Sequence, residues 1–164
     1  MSDNLCEFLG PVSWLPAGLV SWYAPDGAPL VLVMSWLSLI GGERPRVRAS
    51  WHGRQDALSR FWPGGDFVLN LPDQNLLGEV QRKMRSGLLC FRSDELSDCP
   101  HLDSLSVRAP RLSQCPTQIE CCNGVLLDDG GEPELGGVAV TVHRLGATLS
   151  PQDIPELCAI RPLG

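Results

Sequence analysis

The sequence has little positive charge. Its 164 residues include 13 basic and 19 acidic residues, for a formal net charge of −6, and Lys83 is the only lysine. Phosphate backbones and anionic membranes bind proteins through basic surface patches. This composition therefore argues against nucleic acid or a membrane as a partner.

Long hydrophobic runs and targeting signals are also absent. The N-terminus has no cationic stretch ahead of an apolar run, as a secretory signal would have. The longest apolar stretch, residues 30–40, is interrupted by Ser35 and Ser38, and it is far shorter than the roughly 20 residues of a membrane-spanning helix. We expect a cytoplasmic protein in which this stretch is a buried strand.

Cysteine spacings typical of metal sites are missing. The seven cysteines include no pair separated by two residues, the spacing that zinc and iron–sulfur sites use. Cys121 and Cys122 are adjacent, and neighbouring side chains on a strand point to opposite faces. We therefore expect no metal and reduced thiols. A thiol-based redox protein that uses Cys121 with Cys122, or Cys90 with Cys99, is one alternative.

The common enzyme motifs do not occur either. There is no nucleophile elbow, no His-Glu-x-x-His, no phosphate-binding loop and no dinucleotide fingerprint, and we assign no catalytic side chain. The three histidines are far apart in the sequence. His52 is the strongest candidate among them, because Trp51 and Arg54 are close enough for a cation, a donor and a flat apolar surface to meet around an aromatic anion.

The chain contains enough hydrophobic residues to form one hydrophobic core. Hydrophobic residues make up 43% of the sequence and charged residues 20%, a balance typical of globular domains. The length matches one ordinary domain, and no repeat or low-complexity tract divides it. We expect a single domain over residues 1–164.

Strand patterns dominate the first half of the sequence. Runs rich in Val, Leu and Trp flank Asp26-Gly27, a strong hairpin signal. Asp56 is a candidate N-cap for a short helix. The predicted elements are strands over residues 18–23, 30–36, 46–51 and 67–71, and a helix over residues 57–62.

The second half is predicted to add one helix and a hairpin. Leu76, Leu77, Val80 and Met84 share one helical face, which predicts a helix over residues 74–85. Periodicity is poor over residues 90–116, where we expect a surface excursion with one short helix and a strand near residues 105–107. Alternation returns over residues 117–121 and 138–142, with a turn at residues 128–131. These elements predict a mainly β fold with peripheral helices, a closed antiparallel six-stranded barrel, because closure removes exposed strand edges.

The order of features over residues 11–71 carries a family resemblance. A strand, an Asp-Gly hairpin, a strand ending in Ser35-Trp36, a loop with Arg44-Pro45, a strand, a short helix and a strand over residues 67–71 follow in turn. Residues 107–121 then combine a Pro-containing linker with a strand that bears Glu120-Cys121. Over residues 11–145 the chain resembles the flavin reductase-like family, which includes the flavoredoxins.

The resemblance implies an FMN-binding split barrel that dimerises and holds the cofactor at the subunit interface. A flavin needs an apolar slot for its ring, backbone groups for its polar edge and donors for its phosphate. The resemblance places residues 34–38 beside the ring, residues 50–54 near the ribityl phosphate, and residues 70–71 at a strand end that reaches the cofactor. The implied cofactor-binding residues are Met34, Ser35, Trp36, Leu37, Ser38, Ser50, Trp51, His52, Arg54, Asn70 and Leu71.

Some positions depart from the family pattern. Asp56 stands in a region where relatives often carry hydroxyl residues at the helix start, and a carboxylate there would repel the FMN phosphate. The histidine often found before the late Gly-x-Val strand is absent, and residues 134–138 read Glu-Leu-Gly-Gly-Val. These departures leave direct oxidation of NAD(P)H open.

Two functional hypotheses follow, and they differ in whether flavin binds. In the first, the chain is an FMN-binding homodimer that carries electrons or reduces flavin, with NAD(P)H or another protein as electron donor or acceptor; whether it is an enzyme is left open. The alternative is a flavin-free split-barrel module for binding or partner interaction. In that case Trp36 and Trp51 fill the barrel and Asn70 bridges strand ends.

Overall fold

Strands account for most of the regular structure. The computed structural model describes residues 18–34, 36–40, 46–50, 65–85, 90–96, 99–127, 134–144 and 146–150. The helices in this part of the chain are α1 (Gln74–Arg85) and a 3-10 turn (Ser93–Glu95). The strands are β1 (Gly18–Tyr23), β2 (Pro29–Met34), β3 (Trp36–Ile40), β4 (Arg46–Ser50), β5 (Phe67–Leu71), β6 (Cys90–Arg92), β7 (His101–Leu102), β8 (Arg111–Leu112), β9 (Thr117–Leu127), β10 (Glu134–Arg144) and β11 (Ala147–Leu149).

Nine of these strands form one antiparallel sheet. Its hydrogen-bonded order is β3-β4-β10-β9-β5-β1-β2-β6, with β11 paired to β10, and β7 and β8 form a separate ribbon. The prediction of a mainly β, antiparallel fold is confirmed. The described part of the chain contains no helix long and apolar enough to cross a membrane.

The covalent chain links the first strand of this order to the seventh. Residue 35 alone separates β2 from β3 in the sequence, yet the two strands stand seventh and first in the order. The Cα atoms of Met34 and Trp36 can be at most about 7 Å apart, so the sheet curls back on itself. Among the described pairings, none connects β2 or β6 to β3 or β4. The pairings therefore do not form a closed ring, and the predicted strand over residues 30–36 is divided in two.

The first hairpin is the one that Asp26-Gly27 predicts. Tyr23 pairs with Pro29 across it. Asp26 Oδ1 accepts the Ala28 amide at 3.0 Å, and Gly27 has φ of 87°, a conformation that glycine adopts without steric cost. The turn residues thus set the register of β1 and β2.

Helix α1 has the predicted bounds. Asp73 caps its start, since Asp73 Oδ1 accepts the Leu76 amide at 2.8 Å. Leu76, Leu77 and Val80 are buried, as the helical spacing predicts. Arg82, Lys83 and Arg85 lie in the last turn, where positive charge is favourable for the helix dipole.

The sheet buries side chains on both faces. The apolar face carries Phe67 and Leu69 of β5, packed with buried residues of β1, β2, β4, β9 and β10. Gly137 of β10 makes room for the Phe67 ring, because a Cβ there would lie 2.5 Å from Phe67 Cε1. The opposite face, here called the helix face, packs against α1 and against residues 99–116, and its apolar cluster includes Leu19, Val31, Leu76, Val80 and Leu112.

Residues 99–116 differ most from the prediction. The predicted strand near residues 105–107 is wrong, because these residues form bends. The backbone amides of Leu105, Ser106 and Val107 all donate to the Glu120 carboxylate. Amides that converge on one carboxylate are not available to a strand ladder. The short helix expected in this half is the 3-10 turn over residues 93–95.

The late hairpin is longer than predicted. Its strands β9 and β10 contain 11 residues each and pair antiparallel, and β11 was not predicted. The turn at residues 128–131 and the helix over residues 57–62 lie outside the described residues.

The described cysteines give no support to the thiol hypothesis. Cys121 is buried in the apolar-face cluster and Cys122 is half-buried. Burial raises the pKa of the Cys121 thiol well above its ordinary value, which disfavours the reactive thiolate. The described cysteines form no disulfide, and no cluster of three or more metal-ligating side chains occurs among the described residues.

Candidate functional site

The eleven predicted cofactor residues are described to different extents. Ser35, Trp51, His52 and Arg54 lie outside the described residues. Met34, Trp36, Leu37, Ser38 and Ser50 have described backbone positions in β2, β3 and β4. Asn70 and Leu71 are described with their side chains.

One group of these residues lies on β3 and β4. Trp36 pairs with Ser50, so the described member of the predicted stretch 50–54 lies beside a member of the predicted stretch 34–38. β4 lies along one edge of β3, and no described strand pairs with the other edge. That second edge offers backbone donors and acceptors of the kind that a polar ring edge needs.

A second group lies at the start of β1. Gly18 pairs with Met34 on one side, and Leu19 pairs with Asn70 on the other. A Cβ at Gly18 would lie 2.9 Å from the Asn70 carbonyl oxygen, so glycine permits this close approach of β1 and β5. Met34 belongs to this group and is joined to the first group through residue 35. The fold therefore brings the described candidate residues into two adjoining strand-end groups.

The Asn70 side chain is occupied by protein partners. Its Nδ2 donates to the Leu19 carbonyl at 3.1 Å and to Ser21 Oγ at 2.9 Å, and its Oδ1 accepts the Leu112 amide at 3.0 Å. Ser21 Oγ in turn donates to the Pro110 carbonyl at 2.6 Å. Asn70 is 0% exposed. These contacts tie residues 110–112 to the sheet, as a bridging residue does, and cofactor contact by the side chain stays a prediction.

Sequence reasoning missed a buried polar network on the helix face. Glu120 is 0% exposed, and its carboxylate accepts the Leu105 and Ser106 amides at 3.0 and 2.7 Å. Its Oε2 also contacts His143 Nε2. The Thr148 hydroxyl lies 3.3 Å from His143 Nδ1.

The network holds Glu120 in its charged form. Burial alone raises the pKa of the Glu120 carboxyl, but hydrogen bonds from His143 and from the amides of Leu105 and Ser106 outweigh it and lower the pKa below its ordinary value. The sequence contained one local signal for this site, a carboxylate between Ile119 and Cys121 on a strand. Its partners were not predictable, because they come from residues 13 to 23 positions away.

Solved structures of other proteins share the fold of this chain. The sequence matches no protein-family profile and no curated protein. The 2-nitrobenzoate 2-nitroreductase NbaA of Pseudomonas fluorescens has a similar structure, with a TM-score of 0.64 and 20% identity over 87% of this chain and 71% of that chain.

Two further solved structures share the fold. The flavoredoxin of Desulfovibrio vulgaris (Miyazaki F) has a TM-score of 0.57 and 17% identity over 77% of this chain and 68% of that chain. An FMN-binding protein from Thermus thermophilus, solved with bound 1-cyclohex-2-enone, has a TM-score of 0.59 and 13% identity over 78% of this chain and 69% of that chain. The resemblance to the flavin reductase and flavoredoxin family is confirmed at the level of the fold.

Proposed function

We propose that this chain is an FMN-binding redox protein that acts as a homodimer, either carrying electrons or reducing flavin. The observation that carries the proposal is the adjacency of β3 and β4. It sets Trp36 beside Ser50, and the family resemblance assigns both of these residues to the cofactor. The shared fold supports it, since the similar structures include a nitroreductase, a flavoredoxin and an FMN-binding protein.

The residues present suit a flavin in kind. The edge of β3 away from β4 supplies backbone groups for the polar rim of the ring, and Met34 and Leu37 belong to an apolar stretch that suits the ring itself. Ser50, Trp51, His52 and Arg54 follow directly along β4 and beyond it, and their donors suit a phosphate. FMN supplies the electron-transfer chemistry when bound. The protein positions it, excludes water from one ring face and sets the charge around it.

Completion of the sheet as a six-stranded split barrel is part of the same proposal. Its support is the single residue between β2 and β3, which pair with β1 and β4 respectively. In this arrangement β2 and β3 act as one continuous strand, which pairs with β1 along its first part and with β4 along its second part. Electrons come from NAD(P)H or from a partner protein, and the second subunit completes the flavin site.

The test is a comparison of FMN with riboflavin, which lacks the phosphate. The purified protein is titrated with each flavin, and binding is followed by the visible spectrum and by tryptophan fluorescence. Arg54→Gln should weaken FMN binding about tenfold or more, since a hydrogen bond between charged groups contributes about 1.5–3 kcal/mol. The same variant should leave riboflavin binding unchanged.

Arg92→Gln is the matched control. Arg92 is exposed and pairs with Asp94 at 3.3 Å, away from the strand-end groups, so both flavins should bind this variant normally. Light scattering on the purified protein should give the mass of a dimer. A colourless protein that neither flavin perturbs would contradict the proposal and favour the flavin-free binding module.

A further inference from the structure

A cavity of about 580 Å³ lies on the helix face, beside the Glu120 network. Its walls come from residues 102–116, from the start of β9 and from the β10–β11 turn, and they include Arg111, Gln118, His143 and Thr148. Small-molecule pockets in proteins span about 300–1,000 Å³. The cavity is therefore large enough for a small organic ligand.

The cavity wall carries one cation that has no described carboxylate partner. Arg111 Nε donates to the Asp103 carbonyl at 3.0 Å, and Arg111 Nη1 donates to Gln118 Oε1 at 3.0 Å. Both acceptors are neutral, and they hold the guanidinium in place. Arg111 forms no ion pair within the described part of the chain. Its remaining N–H groups and its charge suit a carboxylate, which guanidinium groups bind in two-pronged geometry.

The cavity also has an apolar side. Leu102 and Leu105 line it and are 40% and 68% exposed. Leu105 is fixed by its own amide, which donates to Glu120 at 3.0 Å. An apolar body placed against these two leucines would remove their side chains from water.

The carboxyl and imidazole side chains at the cavity are already engaged. Asp73 lines it, but its carboxylate caps α1, where the helix dipole offsets its charge. His143 faces Glu120 through Nε2 and Thr148 through Nδ1. Arg111 is therefore the charge that remains available to a ligand.

The cavity is separate from the β3–β4 group of the flavin proposal. Ser50 pairs with Glu134 at the start of β10, whereas His143 lies nine residues further along that strand, about 30 Å at the usual rise per residue. Gln118 pairs with Asn70 of the second group, but the Asn70 side chain is covered by residues 110–112.

We propose that this cavity binds a small organic carboxylate, with Arg111 holding the carboxylate and Leu102 and Leu105 covering the apolar body. The site does not depend on bound flavin. It would give the protein a second ligand site, distinct from the one that holds the cofactor.

The test uses 4-phenylbutyrate and its neutral amide, 4-phenylbutyramide, as probes in isothermal titration calorimetry on the full chain. The carboxylate should bind about tenfold or more tightly than the amide. Arg111→Gln should remove that preference, and Leu105→Ser should weaken both probes. The exposed Arg92→Gln variant should bind as the unaltered protein does.

Several outcomes would overturn the assignment. Equal binding of 4-phenylbutyrate and 4-phenylbutyramide to the unaltered protein would overturn it. This result needs no variant, so it counts even if Arg111→Gln fails to fold. Failure of 4-phenylbutyrate to bind at millimolar concentration would also overturn it. Displacement of the probe by FMN would mean that both ligands use one site, and it would overturn the assignment of a second site. An unchanged probe affinity in saturating FMN supports two separate sites.

Discussion

The two faces of the sheet are buried by different means. On β5, Phe67 and Leu69 point to the apolar face and pack among hydrocarbon side chains, while Asn70 points to the helix face. On β9, Ile119 and Cys121 alternate in the same way with Gln118 and Glu120. All of these residues are buried, so burial alone does not distinguish the faces.

The difference lies in what each face requires of the rest of the chain. The apolar face needs side chains of suitable volume, and any strand that supplies them contributes. The helix face needs particular partners, because a buried polar group without a hydrogen bond is costly. Some of those partners come from residues 105–112, of which residues 105–109 form bends. The sheet thus uses hydrogen bonds to hold in place the segment that walls the cavity.

Truncation on the apolar face should have the largest effect on stability. Phe67→Ala should lower the free energy of unfolding by about 4 kcal/mol, because it leaves a cavity at a fully buried site next to Gly137. Urea unfolding followed by circular dichroism measures the change. Val125→Ala, at a position 48% exposed on β9, should cost less than about 1 kcal/mol. Equal losses would mean that the apolar face is not the main core.

Removal of a polar bridge on the helix face should cost less, and locally. Asn70→Ala leaves the buried Leu112 amide without its acceptor and should lower the free energy of unfolding by about 2 kcal/mol. Amide hydrogen exchange should be accelerated by Asn70→Ala, relative to the unaltered protein, more over residues 105–112 than over β1 and β2.

The exposed Asn75→Ala variant on α1 is the control and should change stability by no more than about 0.5 kcal/mol. If Asn70→Ala weakens FMN binding without loss of stability, the amide contacts the cofactor and the bridging role is wrong.

The effect that separates the two faces best is the dependence of stability on acidic pH. The folded-state pKa of the Glu120 carboxyl is lowered. As the pH falls toward the ordinary glutamate pKa, this carboxyl therefore takes up a proton in the unfolded chain before it does so in the folded protein. The stabilisation by Glu120 is complete above the ordinary glutamate pKa of about 4.3 and is lost as the pH falls through the folded-state pKa.

Glu120→Gln should therefore flatten the fall in unfolding free energy below about pH 4.3. Glu95→Gln, at an exposed position, should leave that fall unchanged, and Phe67→Ala should shift the whole curve without altering its slope. Urea unfolding at a series of acidic pH values distinguishes these patterns. Identical slopes for the two glutamate variants would show that Glu120 is not held as the carboxylate.

Local elements were predictable where local chemistry decides them. Asp26-Gly27 sets a hairpin turn within four residues, and the α1 pattern of Leu76, Leu77 and Val80 spans a single helical face. Such signals act between near neighbours. The alternation in β9 belongs to the same class.

The candidate site was predictable only as a set of stretches. The family resemblance implied residues 34–38, 50–54 and 70–71, and the strand register then showed that Trp36 adjoins Ser50 and that Met34 and Asn70 flank the start of β1. The pattern did not reveal that Asn70 is fully used by Leu19, Ser21 and Leu112, since those contacts span 42 to 51 residues.

The sequence by itself determined the β class, the first hairpin, the bounds of α1 and the family resemblance, because periodicity, turn chemistry and capping act over a few residues. Only the tertiary structure decided the strand order, the conformation of residues 99–116, the Glu120 network and the cavity at Arg111. Each of these depends on which distant groups meet in space, and a buried carboxylate or guanidinium takes its role from the partners that the fold brings to it.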